Sequence, residues 1–289
     1  MGLNMASLAS GSNGNCYYVG NEKEAVLVDV GISCRETERR MQRLGLSMEK
    51  VKAIFISHEH TDHIKGLPVI AKKYKIPVYI TPATLQGLRG GVEPQLVRAF
   101  RGYEPVEVGG LSVTAFPKYH DAADPHSFIV SGGGINVGVF TDIGTPCDHV
   151  IRNFQQCHAA FLETNYDDDL LDRGHYPYHL KARIRGNHGH LSNRQALNLF
   201  TGYKPEFMSH VLLGHLSRDN NHPGLVQELF TAHAQDTLVV VASRYEETSV
   251  YHIEGDPIPL AERPVVAPVP EAVPAPSPPV VQQLSLELF

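Results

Sequence analysis

Six consecutive residues, His58-Glu59-His60-Thr61-Asp62-His63, place three imidazoles and the Asp62 carboxylate in one short segment. They follow the apolar run Ala53–Ser57 (AIFIS), which reads as a short buried strand. Groups this dense at a strand end converge only if the loop folds around a cation; otherwise each must be solvated. Neutral imidazole and carboxylate suit Zn, Mn or Fe, and the lack of a nearby thiolate disfavours a Cys-rich structural zinc site. A lone histidine would favour a solvated polar loop, but HxHxDH behind a buried strand favours metal. A divalent ion in such a set activates water at neutral pH and stabilises an oxyanion as it develops. That chemistry suits hydrolysis of a phosphodiester, a thioester or a lactam, and it needs no redox partner.

The elements that must position this loop are legible in the apolar pattern. Leu3–Ala9 and Cys16–Val19 read as a hairpin around Gly11–Asn15, and Ala25–Val30 as a third strand. Pro77–Ile80, Leu111–Phe116, Ser127–Val130, Asn136–Thr141, Ala159–Leu162, His210–Leu213 and Thr237–Ala242 complete the expected strands. Helical spacing covers Arg35–Leu44, Ile64–Tyr74, Asn193–Phe200 and Leu225–His233. Strands with helices in each half predict one α/β domain over residues 1–254, with packed sheets covered by helices. Near Gly255 the composition changes: nine of the twenty prolines lie between Pro257 and Pro279. Residues 255–281 therefore read as an extended, disordered linker. No internal repeat of fixed period is visible.

Bulk properties narrow the class. A net charge of -6 over 289 residues argues against a sticky nucleic-acid binder, though not against a local basic track. No apolar run approaches the ~18 residues of a membrane helix. The first basic residue is Lys23, so no signal-peptide pattern is present. The cysteines at 16, 34, 147 and 157 lack CxxC spacing and read as reduced thiols of a cytoplasmic protein.

With its order of motifs, the chain resembles the metallo-β-lactamase superfamily, whose fold is a four-layer αββα sandwich of two mixed sheets. The resemblance implies that His58, His60 and His120 hold one metal ion and that Asp62, His63 and His215 hold a second. Asp142 in VFTDIG would bridge them, and Asp29 in AVLVDVG would orient a ligand histidine from behind. His126 competes with His120 for the third histidine position. Zn and Mn fit this ligand set equally.

Two further segments resemble the phosphodiesterase branch of that superfamily: Phe161–Asn165 (FLETN) and Asn187–Asn193 (NHGHLSN). There a Glu and a His pair to protonate the leaving oxygen, which implies Glu163 with His190, and His188 as the alternative. Ser192 and Asn193 also suit a helix N-cap. His188, Ser192 and Arg218 are candidate substrate contacts. Lys118, Lys181, Arg183, Arg185 and Arg194 form a candidate phosphate track, with a solvated helix face as the alternative. Across residues 2–254 the motifs LASGSNGN, ISHEHTDHIKGL, HDAADP, LETNYDDDLL, NHGHLSNRQA and VLLGHLSRDNNHP are similar to YycJ/WalJ-type bacterial exonucleases. That implies metal-dependent hydrolysis of nucleic acid, chiefly DNA as single strands or from 5′ ends, in repair or replication. No insertion of β-CASP size separates His120 from His215, which sets the chain apart from the RNase J type. The last residues, 282–289, resemble peptides that bind the bacterial sliding clamp, through Gln283, Leu284, Leu286, Leu288 and Phe289. The competing readings are a thioester (glyoxalase-II-like) or lactam hydrolase of the same fold, and a non-catalytic metal-binding adaptor recruited to the clamp.

Overall fold

The computed structural model describes residues 2–88 and 90–256; most of the Pro-rich stretch and the whole 282–289 peptide lie outside it. The chain opens with the expected meander β1 (Leu3–Ala9), β2 (Cys16–Gly20) and β3 (Ala25–Val28). Helix α1 (Cys34–Arg43), capped by the Ser33 side chain, leads to β4 (Val51–Phe55). The single helix expected over Ile64–Tyr74 is two pieces, α2 (Thr61–Ile64) and α3 (Leu67–Tyr74). The pieces meet at Gly66, where only glycine fits: a Cβ would lie 2.0 Å from the Ile32 carbonyl oxygen. The half closes with β5 (Val78–Tyr79), α4 (Pro82–Gly87) and β6 (Val97–Arg98).

The second half repeats this plan. β7 (Pro105–Val108), β8 (Leu111–Pro117), β9 (His126–Gly132) and β10 (Ile135–Phe140) form an antiparallel meander. After α5 (Asp148–Phe154) comes β11 (Ala159–Glu163), then α6 (Asp168–Arg173), α7 (Tyr178–Arg185) and α8 (Asn193–Tyr203). β12 (His210–Gly214), α9 (Pro223–Thr231), β13 (Leu238–Val241) and β14 (Tyr251–Ile253) follow.

Two seven-stranded sheets result, with orders β14-β1-β2-β3-β4-β5-β6 and β13-β12-β11-β10-β9-β8-β7. In each, the meander passes into parallel strands, at β3–β4 and at β10–β11. The last strand returns to the first sheet, where Leu3 faces Ile253 across an antiparallel ladder. Three apolar clusters match the interfaces of a four-layer αββα sandwich. One lies between the sheets (Met5, Val28, Phe55, Phe128, Phe161). One lies under α1 and α3 (Leu27, Met41, Ile54, Ile70). The third lies under α5, α8 and α9 (Phe140, Phe154, Leu199, Phe200, Phe230). At about 25 cal/mol per Å² of apolar surface, the buried phenylalanines of the inter-sheet layer and of the layer under α5, α8 and α9 each contribute substantially to stability. All four cysteines are free thiols, and among the described residues no helix is long and apolar enough to cross a membrane.

Candidate active site

Parallel strands of both sheets end on the same side, and the ionisable groups gather beyond those ends. The loop after β4 brings His58, His60, Asp62 and His63. The loop after β8 brings His120, that after β10 brings Asp142, and that after β12 brings His215. The atoms of His58, His60 and His120 lie within 4.8 Å of one another, as do those of Asp62, His63 and His215 and those of His58, His63 and Asp142. His58 Nε2 is 3.1 Å and His120 Nε2 3.4 Å from His60 Nδ1. Asp142 Oδ2 is 3.1 Å from His63 Nε2 and 3.2 Å from His215 Nδ1.

Hydrogen bonds behind the rings decide which nitrogens face inward. Asp29 Oδ2 accepts His63 Nδ1–H at 2.7 Å, leaving the Nε2 lone pair for the cluster. The Ser57 hydroxyl donates to Asp29 and accepts His58 Nδ1–H, both at 2.8 Å, so His58 also presents Nε2. His120 Nδ1 donates to the Gly189 carbonyl at 3.0 Å with the same result. Such outer partners fix the tautomer and raise ligand basicity. Glu59 turns away, accepting the Ala123 amide at 2.8 Å.

The donor set fits a divalent cation. Asp142 Oδ2 and His215 Nδ1 are buried and without hydrogen-bond partners, although they stand 3.2 Å apart. A buried carboxylate oxygen and a ring nitrogen this close, neither satisfied by a hydrogen bond, are the arrangement a shared cation would satisfy. Burial alone would lower the pKa of His63, but Asp142, Asp29 and Asp62 outweigh it and raise it well above the ordinary imidazole value, so three carboxylates draw to His63 a positive charge that a cation at Nε2 would supply in the proton's place. Burial drives His58 well below that value and His120 to about 3, so both rings are neutral, as ligands must be.

Glu163 and His190 stand at the edge of this cluster. Glu163 is fully buried at the end of β11; its Oε1 accepts His190 Nδ1–H at 2.7 Å and its Oε2 accepts the Ile143 amide at 2.6 Å. His190 Nδ1 is 3.7 Å from Asp142 Oδ1. Burial would lower the His190 pKa, but the charge and hydrogen bond of Glu163, with Asp142, raise it to about 9.

Other expected residues are placed differently. His188 packs edge-on against Tyr119 and has no bond to Glu163, because the Gly189–His190 turn puts only the second histidine in reach. Ser192 is buried, and its hydroxyl accepts the Gln195 N–H in a capping box, so it serves α8 rather than a substrate. Lys118 is buried and donates to the Thr141 carbonyl at 2.6 Å, holding the Asp142 turn instead of facing phosphate. Arg183, Arg185 and Arg194 are tied to Asp121, Asp172 and Asp168, which neutralise the expected basic track. His126 points to the Asp124 carbonyl and packs on Phe100, outside the cluster.

The turn 11–15 proves to be a support of the site, which turn chemistry alone conceals. Asn15 Nδ2 lies 3.1 Å from Asp62 Oδ2, and Ser10 Oγ accepts the His215 N–H at 2.7 Å. Gly31 lets this turn and the hexapeptide meet: a Cβ there would stand 1.6 Å from the Asp62 carbonyl oxygen. The available signal is the pair of polar residues Ser10 and Asn15 at the inner ends of two largely apolar strands.

A family model described as a beta-lactamase superfamily domain matches residues 24–215. The chain is 35% identical over 224 residues to exodeoxyribonuclease YycJ of Bacillus anthracis, covering 76% of this chain and 85% of that protein. It is 30% identical over 242 residues to exodeoxyribonuclease WalJ of Streptococcus pneumoniae, covering 80% of this chain and 90% of that protein. The crystal structure of the metallo-β-lactamase-fold protein YhfI of Bacillus subtilis superposes with a TM-score of 0.65 at 18% identity, over 87% of this chain and 100% of that one, which speaks for the fold. Fold, inward-facing nitrogens and relatives agree, and the chain belongs to the metallo-β-lactamase superfamily.

Proposed function

We infer that this protein is a metallo-β-lactamase-fold nuclease, a metal-dependent hydrolase of phosphodiester bonds, and specifically a cytoplasmic DNA exonuclease that digests single strands from the 5′ end. The observation that carries the reading is the Glu163–His190 pair beside the metal-binding cluster, a proton donor where a leaving oxygen would depart. The YycJ and WalJ names support DNA as the substrate.

In this reading His58, His60 and His120 would hold one divalent ion and Asp62, His63 and His215 the other, with Asp142 beside both groups. Zn or Mn bound there supplies activated water and Lewis-acid stabilisation of charge developing on the phosphate. Asp62 orients the attacking water and takes its proton, and Asn15 Nδ2 holds that carboxylate in place. His190 is anchored through Nδ1, so the proton given to the leaving oxygen comes from Nε2. Its raised pKa keeps that proton present at neutral pH. Residues 283–289 act as a clamp-binding tether in the same reading, supported by their spacing alone. Deleting 282–289 should end co-elution with the clamp and leave oligonucleotide cleavage intact.

The decisive experiment is a time course on single-stranded DNA labelled at its 3′ end, using protein reloaded separately with Mn and Zn. A ladder shortening from the 5′ end, absent in Asp62→Asn, is expected. DNA left intact under both metals while a thioester or lactam is cleaved would overturn the nuclease reading and keep the fold.

A further inference from the structure

The metal-binding cluster and the Glu163–His190 pair engage one phosphate, whereas a polynucleotide carries many. Beside His215 the surface opens into a cavity of about 440 Å³, within the range of small-ligand sites. Its wall includes Ser10, which holds the His215 amide, and Leu216, the next residue along the chain. Arg218, Arg244 and Tyr245 line the same cavity.

Arg244 is half-buried, and its hydrogen bonds go to neutral acceptors, Asn13 Oδ1 at 2.6 Å and the Leu216 carbonyl oxygen. Gly11, at φ +143°, lies against it: a Cβ there would be 3.3 Å from Arg244 Nη2. Of the nearby acids, Glu247 is paired with Arg43, while Asp219 accepts the Tyr176 hydroxyl and acts on Arg244 at a distance, without an ion pair. Burial, helped by the charge of Arg218, holds the Arg244 pKa below the ordinary guanidinium value. Arg218 is exposed and has no ion-pair partner among the described residues. Glu246 is the one carboxylate on the cavity wall, so two guanidiniums face a single acid. The start of α9, at His222 and Pro223, adds the positive end of a helix dipole. A partly desolvated guanidinium with no ion pair among the described residues calls for an anion. Beside it, Tyr245 is 69% exposed and offers a free aromatic face.

We propose that this cavity is a second phosphate subsite, in which Arg218 and Arg244 hold a backbone phosphate adjoining the scissile one while Tyr245 stacks on the neighbouring base. It rests on the nuclease reading and adds where the strand is gripped. Arginine pairs bind phosphate through planar, bidentate donors, and exposed aromatics stack on bases of any sequence. The aspartate-bound arginines of α7 and α8 cannot offer the same donors without first breaking their ion pairs.

The test is fluorescence anisotropy of a labelled single-stranded oligonucleotide, its linkages phosphorothioate to resist cleavage, with the metal-loaded full chain at several salt concentrations. Arg218→Gln should weaken binding about tenfold and reduce the slope of log K against log salt by about 0.7, one contact's worth on a single strand. Tyr245→Ala should weaken binding about five- to tenfold with the slope unchanged. Arg244→Gln also removes a loop contact, so it is paired with Arg244→Lys, which should restore most of the slope. Wild-type affinity and slope in both Arg218→Gln and Tyr245→Ala would overturn the subsite, while DNA laddering by the parent protein would keep the nuclease reading. A parent protein that neither binds nor cuts the strand would overturn both.

Discussion

The two halves of the molecule share one wiring plan and use it differently. In the first, a single loop after β4 delivers four groups of the cluster within six residues; in the second, three separate loops deliver one each. Asp29 and Asp142 make the contrast concrete. Each lies just beyond the strand where its meander turns parallel, and each has a left-handed backbone, φ 61° and 53°. They flank one imidazole: Asp29 holds the Nδ1 edge of His63 and Asp142 faces the Nε2 edge. The same backbone device therefore orients a ligand in one half and supplies one in the other. His215 is left-handed too, at φ 55°, and such residues cost roughly 1–3 kcal/mol each, strain held where the site needs it.

Breaking the contrast at its centre should have the largest effect. Asp142→Asn removes the charge facing both groups of histidines, so turnover should fall by several orders of magnitude and metal content, read by atomic emission, should drop. Unchanged metal content and turnover would end its bridging role. His190→Ala should lower kcat by about 10²–10⁴. In the parent enzyme kcat should fall as pH rises through about 9, where His190 loses its proton, and the variant should lack that limb. The same raised pKa makes the pair's contribution to stability complete below pH 6.5 and lost through about 9. Asp29→Asn, the counterpart of Asp142→Asn, should weaken metal affinity about 10–100-fold and spare turnover at saturating metal. Equal damage from both would mean the halves are not specialised. The smallest effect is expected of Ser192→Ala, a loss of about 1 kcal/mol in denaturant unfolding with kcat/KM unchanged. A large fall in kcat/KM at unchanged stability would return Ser192 to substrate contact.

Legibility in the sequence follows the same division. The hexapeptide stands out because its metal-binding groups are nearly contiguous, and the long strands because apolar residues dominate them. His120, Asp142 and His215 carry no local pattern and were reached through resemblance to a family. β6 and β14 are two and three residues long, too short for periodicity, and α7 buries no side chain, so it lacks an apolar stripe. Whether an arginine is free is a tertiary matter: Arg183 and Arg218 look alike in sequence, yet Asp121 takes the first. The repeated wiring has no sequence repeat behind it, since strand pairing asks for apolar residues in alternation and not for particular ones.

The ladder between β1 and β14 has a consequence for synthesis. Translation delivers the hexapeptide early, but His215 and then Ile253, the partner of Leu3, come much later. A nascent chain on the ribosome thus carries histidines that have no completed pocket and a first sheet with one edge unfinished. Domains fold as units once their last element is available. The residues of the site can therefore come together only when nearly the whole domain has been made.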